Sequence, residues 1–232
     1  MHYVFPPPDP IALPVAGAAQ RFPVRRVYCV GRNYAAHARE MGFDPERDPP
    51  FFFAKPADAV VPVVAGVTAD IPYPPATQDY QHEIELVAAI GRGGADIDAA
   101  QAAAHVWGYA VGLDMTRRDL QLALRDKGRP WELGKSFDAS APVGPITPAA
   151  GVPGIGQAAI WLKVNGAERQ RSTVGHLIWN VAETIACLSK YFRLEPGDLI
   201  FTGTPEGVGR VARGDLLRGG IDGLDEISVR IV

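Results

Sequence analysis

The chain has 232 residues, of which 47% are hydrophobic and 21% charged, and its formal net charge is −3. This length and composition predict a single globular domain with a substantial core. A slight negative charge without a long basic run argues against a nucleic-acid partner. Because a membrane-spanning helix needs about 18 or more consecutive apolar residues, and the sequence has no such run, we expect no membrane partner.

The N-terminus and the cysteines bear on location. The first residues, MHYVFPPPDP, lack the basic start and apolar core of a signal peptide. Cys29 and Cys187 are far apart and form no CxxC motif. We therefore expect a cytoplasmic protein without a thiol metal site.

The 25 glycines and 21 prolines predict many short strands and turns. Residues 1–23, rich in proline, are predicted to be an N-terminal arm or small element, and residues 24–232 to form the main domain. A short strand at 27–30 is followed by a short helix at 34–41 and a loop at 42–50.

Two stronger strands are predicted at 83–90 and 106–113, joined by a short alanine-rich helix at 98–105. Thr116 is a plausible N-cap for a helix ending at Asp126. The remaining predicted elements are a hairpin turning at Asn165-Gly166, a helix at 175–192, and strands at 199–201 and 227–232. This order lacks regular βαβ alternation, so we expect a β-rich α+β fold.

The stretch QHEIELVAAIG, residues 81–91, places two carboxylates on one face of a strand. Side chains alternate along a strand, so Glu83 and Glu85 project together, opposite Ile84 and Leu86. They form either a charged, solvent-exposed face or part of a binding site. Asp114, at the end of VWGYAVGLD, adds a third carboxylate if the two strands are neighbours.

Three converging carboxylates require compensation. Each pair about 4 Å apart would cost about 4 kcal/mol at an effective dielectric near 20. Such a trio persists only when it is protonated or bound to a cation. Ligands that are all oxygen favour Mg²⁺, Mn²⁺ or Ca²⁺ over zinc.

A second candidate site lies in GRNYAAHARE, residues 31–40. His37 and Glu40 are three residues apart and therefore adjacent on one helix face. A carboxylate bonded to one imidazole nitrogen orients the ring, so that the other nitrogen can take a proton from water. The alternative is an ordinary surface pair. If the pair is catalytic, we expect the loop at 42–50 to close over substrate and only then to position Glu40.

Several cationic and polar residues accompany these carboxylates. Lys55 in FFFAKP and Lys135 in LGKS have apolar neighbours that would partly bury them. Arg118 and Gln121 lie on one face of the helix that follows Asp114. The alternative for each cation is simple surface charge.

Two nucleotide-binding motifs are matched only superficially. ELGKS, residues 132–136, resembles the end of a P-loop but lacks the required earlier glycine. GVGRVA, residues 207–212, matches a loose dinucleotide fingerprint, but the following RGDLLRGG cannot form the helix that would hold a pyrophosphate. Neither motif predicts a nucleotide site.

Taken together, a set of segments in this order resembles the fumarylacetoacetate hydrolase family, and within it the short acylpyruvate hydrolases. The segments are VGRNYAAHARE, FFFAKP, YPPATQDYQHEIELVAAIG, GYAVGLDMTRRDLQ, GRPWELGKSFDASAPVGP, LKVNGAERQ and GDLIFTGTPEGVG. They extend from about residue 24 to the C-terminus. One departure is Gln81, which stands where the family usually has the first histidine of an HHE motif.

The resemblance implies a mixed β-roll, a homodimer, and one Mg²⁺ or Mn²⁺ per subunit. It assigns the metal to Glu83, Glu85 and Asp114, and water activation to His37 and Glu40. The remaining positions carried over are Lys135, assigned a catalytic role, and the substrate-binding residues Arg118, Gln121, Thr204 and Lys55.

The implied activity is hydrolysis of the C–C bond of an acylpyruvate, with fumarylpyruvate as the expected substrate. Arg118, or another cation, would hold the far carboxylate of a fumaryl chain. The alternatives within the same family are decarboxylation of oxaloacetate, and isomerisation or decarboxylation of 2-hydroxyhepta-2,4-diene-1,7-dioate. Both require the same metal site. The decarboxylation of oxaloacetate needs no attacking water.

Overall fold

The computed structural model describes residues 2–41 and 48–232. Most of the predicted loop at 42–50 therefore lies outside the described residues. The strands within them are β1 (Ala12–Pro14), β2 (Arg21–Pro23), β3 (Val27–Gly31), β4 (Phe51–Lys55), β5 (Val60–Pro62), β6 (Ala69–Ile71), β7 (Tyr80–His82), β8 (Ile84–Ile90), β9 (Val106–Leu113), β10 (Thr116–Arg117), β11 (Ala141–Val143), β12 (Thr147–Pro148), β13 (Ala159–Val164), β14 (Ala167–Thr173), β15 (Leu199–Phe201), β16 (Gly209–Arg210), β17 (Leu216–Ile221) and β18 (Ile227–Ile231).

Helices are short by comparison. The α-helices are α1 (Ala35–Glu40), α2 (Arg118–Arg125), α3 (Glu132–Lys135) and α4 (Val181–Leu188), and the 3₁₀ helices are Ala57–Ala59, Ala99–His105, Ala149–Gly151, Ile155–Gln157 and Val174–His176. None of the helices in the described ranges is long and apolar enough to cross a membrane.

An eight-stranded sheet organises the molecule, in the order β4-β3-β15-β8-β9-β11-β5, with β12 also paired to β9. Strands β3 and β15 are parallel, as are β5 and β11, whereas β8 is antiparallel to both β15 and β9. The sheet is therefore mixed. A five-stranded sheet, β14-β13-β17-β18-β6, the small sheet β10-β7-β16 and the two-stranded sheet β1-β2 complete the described part of the fold. The predicted β-rich α+β class is confirmed.

Because side chains alternate along a strand, the side chains of β8 pack into separate cores on its two faces. Ile84 and Leu86 pack in a core with residues of β13, β17 and β18. Val87 and Ala89 point the other way, into a second core that includes Phe201 of β15. All seven residues of β8 are buried, so Glu85, which shares the second face, enters the interior of the molecule.

The N-terminal residues form a small hairpin against the second core. Strands β1 and β2 pair antiparallel, and Leu13 and Phe22 pack with residues of the large sheet. Ile146 donates a backbone hydrogen bond to Pro14 at 2.9 Å. The division into a 1–23 element and a 24–232 domain remains a prediction.

Three predicted elements differ in detail from the structure. Thr116 does not cap α2, because it belongs to β10, pairs with Gln81 and donates its hydroxyl proton to the backbone oxygen of Asp114. The segment predicted as a helix at 98–105 is the 3₁₀ helix Ala99–His105. The hairpin is confirmed, since both turn residues have positive φ, 50° at Asn165 and 82° at Gly166.

The predicted helix at 175–192 is wrong at both ends, because α4 spans only Val181–Leu188, and the larger error is at the N-terminal end. Helix α4 begins only after Asn180, whose side chain accepts a hydrogen bond from the Glu183 amide while the Glu183 side chain accepts one from the Asn180 amide. This capping box fixes the helix start. Before it, the Ile178 amide donates to the Asn33 carbonyl at 2.8 Å. A tertiary hydrogen bond therefore replaces the first predicted helical turns.

Candidate active site

Neighbouring strands β8 and β9 bring three carboxylates together. Ile84 pairs with Leu113, so Glu83, just before β8, lies beside Asp114, just after β9. The Asp114 amide donates to the Glu83 carbonyl at 2.8 Å. Ligand atoms of Glu83, Glu85 and Asp114 all lie within 4.8 Å of one another.

Burial decides between the two interpretations of these carboxylates. Glu83 is 4% exposed, Glu85 2% and Asp114 1%. A charged, solvent-exposed strand face is therefore excluded. Buried charges persist only when they are paired or bound to a cation, so the cluster needs positive charge close by.

Lys135 and Lys55 supply part of that charge. The Lys135 ammonium bridges two ligands, 2.7 Å from Glu83 Oε2 and 2.8 Å from Asp114 Oδ2. Lys55 Nζ lies 2.9 Å from Asp114 Oδ1. The side chains of both lysines are almost fully buried.

The third cation, Arg118, is held in a hydrogen-bonded frame. Its Nη2 donates to Glu83, its Nη1 donates to Gln121 Oε1 at 2.9 Å, and its Nε donates to Gln81 Oε1 at 2.9 Å. Gln81, the departure from the family motif, therefore orients Arg118, and through it Glu83.

The carboxylates differ in protonation behaviour. Burial alone would raise the pKa of Glu83, but the positive charges of Lys135 and Arg118 outweigh burial and hold that pKa well below its ordinary value. Burial, and then the negative charges of Asp114 and Glu83, raise the pKa of Glu85 well above its ordinary value. An added cation would therefore favour the ionised form of Glu85.

The donor set fits a hard divalent cation. The clustered ligand atoms are all carboxylate oxygens, which suits Mg²⁺ and Mn²⁺ and not zinc. One Glu85 oxygen accepts a hydrogen bond from the Gly203 amide at 2.7 Å. Asp114 Oδ1 accepts no hydrogen bond of good geometry, although Lys55 lies close to it. These observations support the metal assignment that the resemblance implied.

His37 and Glu40 form a hydrogen-bonded pair at the same cleft. Nδ1 of His37 is 3.1 Å from Glu40 Oε2. The Gly207 amide donates to both Glu40 oxygens, at 3.1 and 3.2 Å. These bonds, that from His37 foremost, lower the pKa of Glu40. With Glu40 ionised, Nδ1 of His37 carries the proton and Nε2 is the basic nitrogen.

Glu40 is therefore positioned by the residues around it. Both of its oxygens accept hydrogen bonds in the structure. The expected closure of the following loop falls mostly on residues outside the described ranges and stays a prediction.

Two glycines after β15 supply backbone donors that the sequence did not reveal. Gly203, at φ 101°, donates to Glu85, and Gly207, at φ 90°, donates to Glu40. A Cβ at Gly203 would lie 2.7 Å from the Cβ of Asn33. The glycine-rich segment GTPEGVG was the available signal, since residues with positive φ near a ligand are usually glycine.

A single cleft connects His37 with the three carboxylates. His37, the three carboxylates and Lys135 all line it. Three of the predicted substrate-binding residues also line it, namely Arg118, Gln121 and Thr204. Lys55 is absent from the described lining. Its contacts with Asp114 and with the carbonyls of Met115 and Lys135 favour a role in holding Asp114.

Gln170 is a buried residue that the sequence reasoning missed. Its Oε1 accepts hydrogen bonds from His82 Nδ1 at 3.0 Å and from the Ile84 amide at 3.1 Å. Its Nε2 donates to Thr204 Oγ1 at 2.9 Å, and the Thr204 hydroxyl donates to the Ile84 carbonyl at 2.8 Å. Gln170 thus fixes the β7–β8 junction on which Glu83 lies. A lone glutamine on a strand gives no sequence signal.

The fold and the paired sites define a protein class. Residues 26–232 match the fumarylacetoacetate (FAA) hydrolase C-terminal family, and the chain belongs to this family.

Similar proteins refine this placement. Fumarylpyruvate hydrolase of Ralstonia sp is 50% identical over 181 residues, which cover 78% of this chain and 92% of that protein. A crystal structure of fumarylpyruvate hydrolase from Pseudomonas aeruginosa in complex with Mn²⁺ and pyruvate is 65% identical, with a TM-score of 0.98 over 100% of this chain and 99% of that one. The mitochondrial oxaloacetate tautomerase FAHD1 of Homo sapiens is 40% identical over 207 residues, which cover 89% of this chain and 91% of that protein.

Proposed function

We propose that the protein hydrolyses fumarylpyruvate to fumarate and pyruvate. One observation carries this proposal: His37, which is hydrogen-bonded to Glu40, lines the same cleft as the buried carboxylate trio. A base for water is needed for hydrolysis but not for decarboxylation. The two similar fumarylpyruvate hydrolases support the same substrate.

Glu83, Glu85 and Asp114 would hold one Mg²⁺ or Mn²⁺ per subunit. A similar enzyme was crystallised with Mn²⁺ and pyruvate, which supports this choice of ion. When bound, a divalent cation supplies positive charge that binds a 2-oxo acid and stabilises the enolate that leaves.

His37 acts as the general base. Its Nε2 takes a proton from the water whose oxygen adds to the C4 carbonyl of the substrate. The C3–C4 bond then breaks and its electron pair stays with C3, so that pyruvate leaves as its enolate. The enolate takes up the proton that His37 accepted from water, which returns His37 to its neutral form. Glu40 keeps the proton on Nδ1 and stabilises the imidazolium that forms.

Lys135 and Arg118 set the charge and geometry of the cleft. Lys135 lies between Glu83 and Asp114, so its positive charge adds to the stabilisation of the leaving enolate. Arg118 donates to Glu83 and holds it in position, and Gln121 in turn accepts a hydrogen bond from Arg118. A ligand carboxylate held by several partners stays in a binding geometry at low entropic cost.

Glu40→Gln is expected to lower kcat for fumarylpyruvate by roughly tenfold or more, part of the 10²–10⁴ that a positioned base contributes. The neutral amide no longer stabilises the imidazolium, and it can turn its NH₂ toward His37. KM and Mn²⁺ affinity should stay near the wild-type values. Steady-state kinetics and metal titration measure this, and unchanged kcat would remove Glu40 from the dyad.

A second candidate function is an activity with oxaloacetate as the substrate. The similarity to an oxaloacetate tautomerase favours it. It uses the same carboxylate trio but gives the His37–Glu40 pair no water to activate. Incubating the purified protein with each substrate and separating the products distinguishes the two. Equimolar fumarate and pyruvate from fumarylpyruvate support hydrolysis, whereas turnover of oxaloacetate alone overturns it.

We further propose a homodimer, as the family resemblance implies. Large apolar side chains exposed near the end of α4, Tyr191 and Phe192, support an interface. Sedimentation of the purified protein tests the assembly. A cytoplasmic location and the 24–232 catalytic domain complete the proposal.

A further inference from the structure

The proposed substrate has a second carboxylate, three carbons beyond the carbonyl that water attacks. Arg118 is poorly suited to bind it, because its charge is paired with buried Glu83. Three of its five N–H groups also donate already, to Gln81, Gln121 and Glu83. A buried carboxylate of the substrate needs a positive partner of its own. The question is which other cation the cleft offers.

Two further arginines line the cleft, Arg32 and Arg125. Both are partly exposed, whereas the carboxylate trio, Lys135 and Arg118 are buried. The cleft therefore has a buried floor, where the metal ligands lie, and an outer part with two guanidinium groups. A substrate anchored at the floor by its 2-oxo acid would extend toward that outer part.

The backbone and an aromatic ring fix Arg32 in place. Arg32 adopts φ 57°, a left-handed conformation that residues other than glycine rarely take and that is found at functional sites. Its Cζ lies 5.3 Å from the ring centroid of Phe51. That ring lies against Gly31, where any Cβ would overlap it, and meets Trp131 edge-on at 5.2 Å. A side chain held this way loses little entropy when it binds an anion.

Arg32 and Arg125 bring two positive charges to the lining of the same cleft. Burial, and then the positive charge of Arg125, lower the pKa of Arg32, so a negatively charged group close to both arginines would offset their repulsion. Arg125 also donates to the exposed carboxylate of Asp126, at 2.9 and 2.7 Å. Exposed ion pairs of this kind contribute little free energy. A substrate carboxylate can therefore compete with Asp126 for Arg125.

We infer that Arg32, assisted by Arg125, binds the distal carboxylate of a dicarboxylic acylpyruvate and so selects it over acylpyruvates with a neutral acyl group. This inference rests on the proposed function. It makes Arg32 a specificity-determining residue that acts on binding and leaves water activation to His37.

The test compares fumarylpyruvate with acetylpyruvate, which has the same 2-oxo acid but no second carboxylate. In Arg32→Gln, kcat/KM for fumarylpyruvate should fall about 10- to 100-fold, the usual effect of losing a hydrogen bond between charged groups. For acetylpyruvate it should change less than about threefold. Arg125→Gln should show a smaller loss in the same direction, and Arg32→Lys should recover part of the activity.

Two controls separate the inference from other effects. Lys127→Gln removes an exposed charge just beyond α2 and outside the described cleft lining, and it should leave the ratio of the two kcat/KM values unchanged. Arg32→Asn suits a left-handed backbone better and should reproduce the Arg32→Gln result if charge is the cause.

The possible results distinguish a failure of the Arg32 inference from a failure of the proposed function. Equal losses on both substrates, or no loss on either, would overturn the assignment of Arg32 while leaving the hydrolase intact. A wild-type protein that hydrolyses neither substrate would overturn the proposed function, and the inference with it.

Discussion

His37→Ala is expected to lower kcat for fumarylpyruvate by roughly 10²- to 10⁴-fold, the range that a positioned general base contributes. The imidazole is held by Glu40, which is itself held by the Gly207 amide. Alanine removes the proton acceptor but none of the three candidate metal ligands. The measurement is single-turnover and steady-state kinetics on metal-loaded protein.

The control for this variant is His176→Ala, which removes an exposed imidazole outside the described cleft lining and should keep wild-type kcat. Thermal unfolding and Mn²⁺ titration should give near wild-type values for both variants, showing that the loss lies in the chemistry. Wild-type turnover by His37→Ala would contradict the dyad assignment.

Glu85→Gln is expected to weaken Mn²⁺ binding by at least about 10²-fold, since even partners of metal ligands cost 10- to 100-fold when mutated. Activity at low metal concentration should fall in parallel. Isothermal titration of metal-stripped protein measures the affinity directly. The exposed carboxylate Glu132 provides a matched control, because Glu132→Gln removes the same charge away from the trio.

The same substitution should stabilise the metal-free protein. The pKa of Glu85 is raised in the folded state, so its contribution to stability is present below its unfolded pKa and is lost as pH rises through the folded pKa. Glutamine has no proton to lose. At neutral pH, metal-free Glu85→Gln should therefore unfold at a temperature no lower than the wild type.

For the metal titration, an Mn²⁺ affinity of Glu85→Gln equal to that of the wild type would contradict the assignment of Glu85 as a metal ligand.

The carboxylate trio could be predicted from sequence because it depends on strand geometry. Alternation put Glu83 and Glu85 on one side, and the pairing of adjacent strands brought Asp114 beside them. The sequence offered Lys135 and Arg118 as cations near the trio, but it left simple surface charge open as the alternative. Lys135, Arg118 and the Gly203 amide reach the carboxylates from separate elements, and their contacts depend on tertiary packing.

The helical spacing of apolar residues also led to a wrong prediction for the start of α4. Ile178 continued the apolar spacing of α4, but its amide is bonded to Asn33 and the helix starts only at the Asn180 cap. Arg32 had no local signal either. Its left-handed backbone and its stacking on Phe51 depend on the neighbouring strands β3 and β4, and only in the folded chain does it share a cleft with Arg125.

The most direct test of metal-dependent C–C hydrolysis starts from metal-stripped protein mixed with fumarylpyruvate. Mg²⁺ or Mn²⁺ is then added back while loss of the enol absorbance is followed and fumarate and pyruvate are assayed. We predict no turnover without metal and equimolar appearance of both products once metal is added. Product formation that is independent of metal, or CO₂ release from oxaloacetate with no cleavage of fumarylpyruvate, would contradict it.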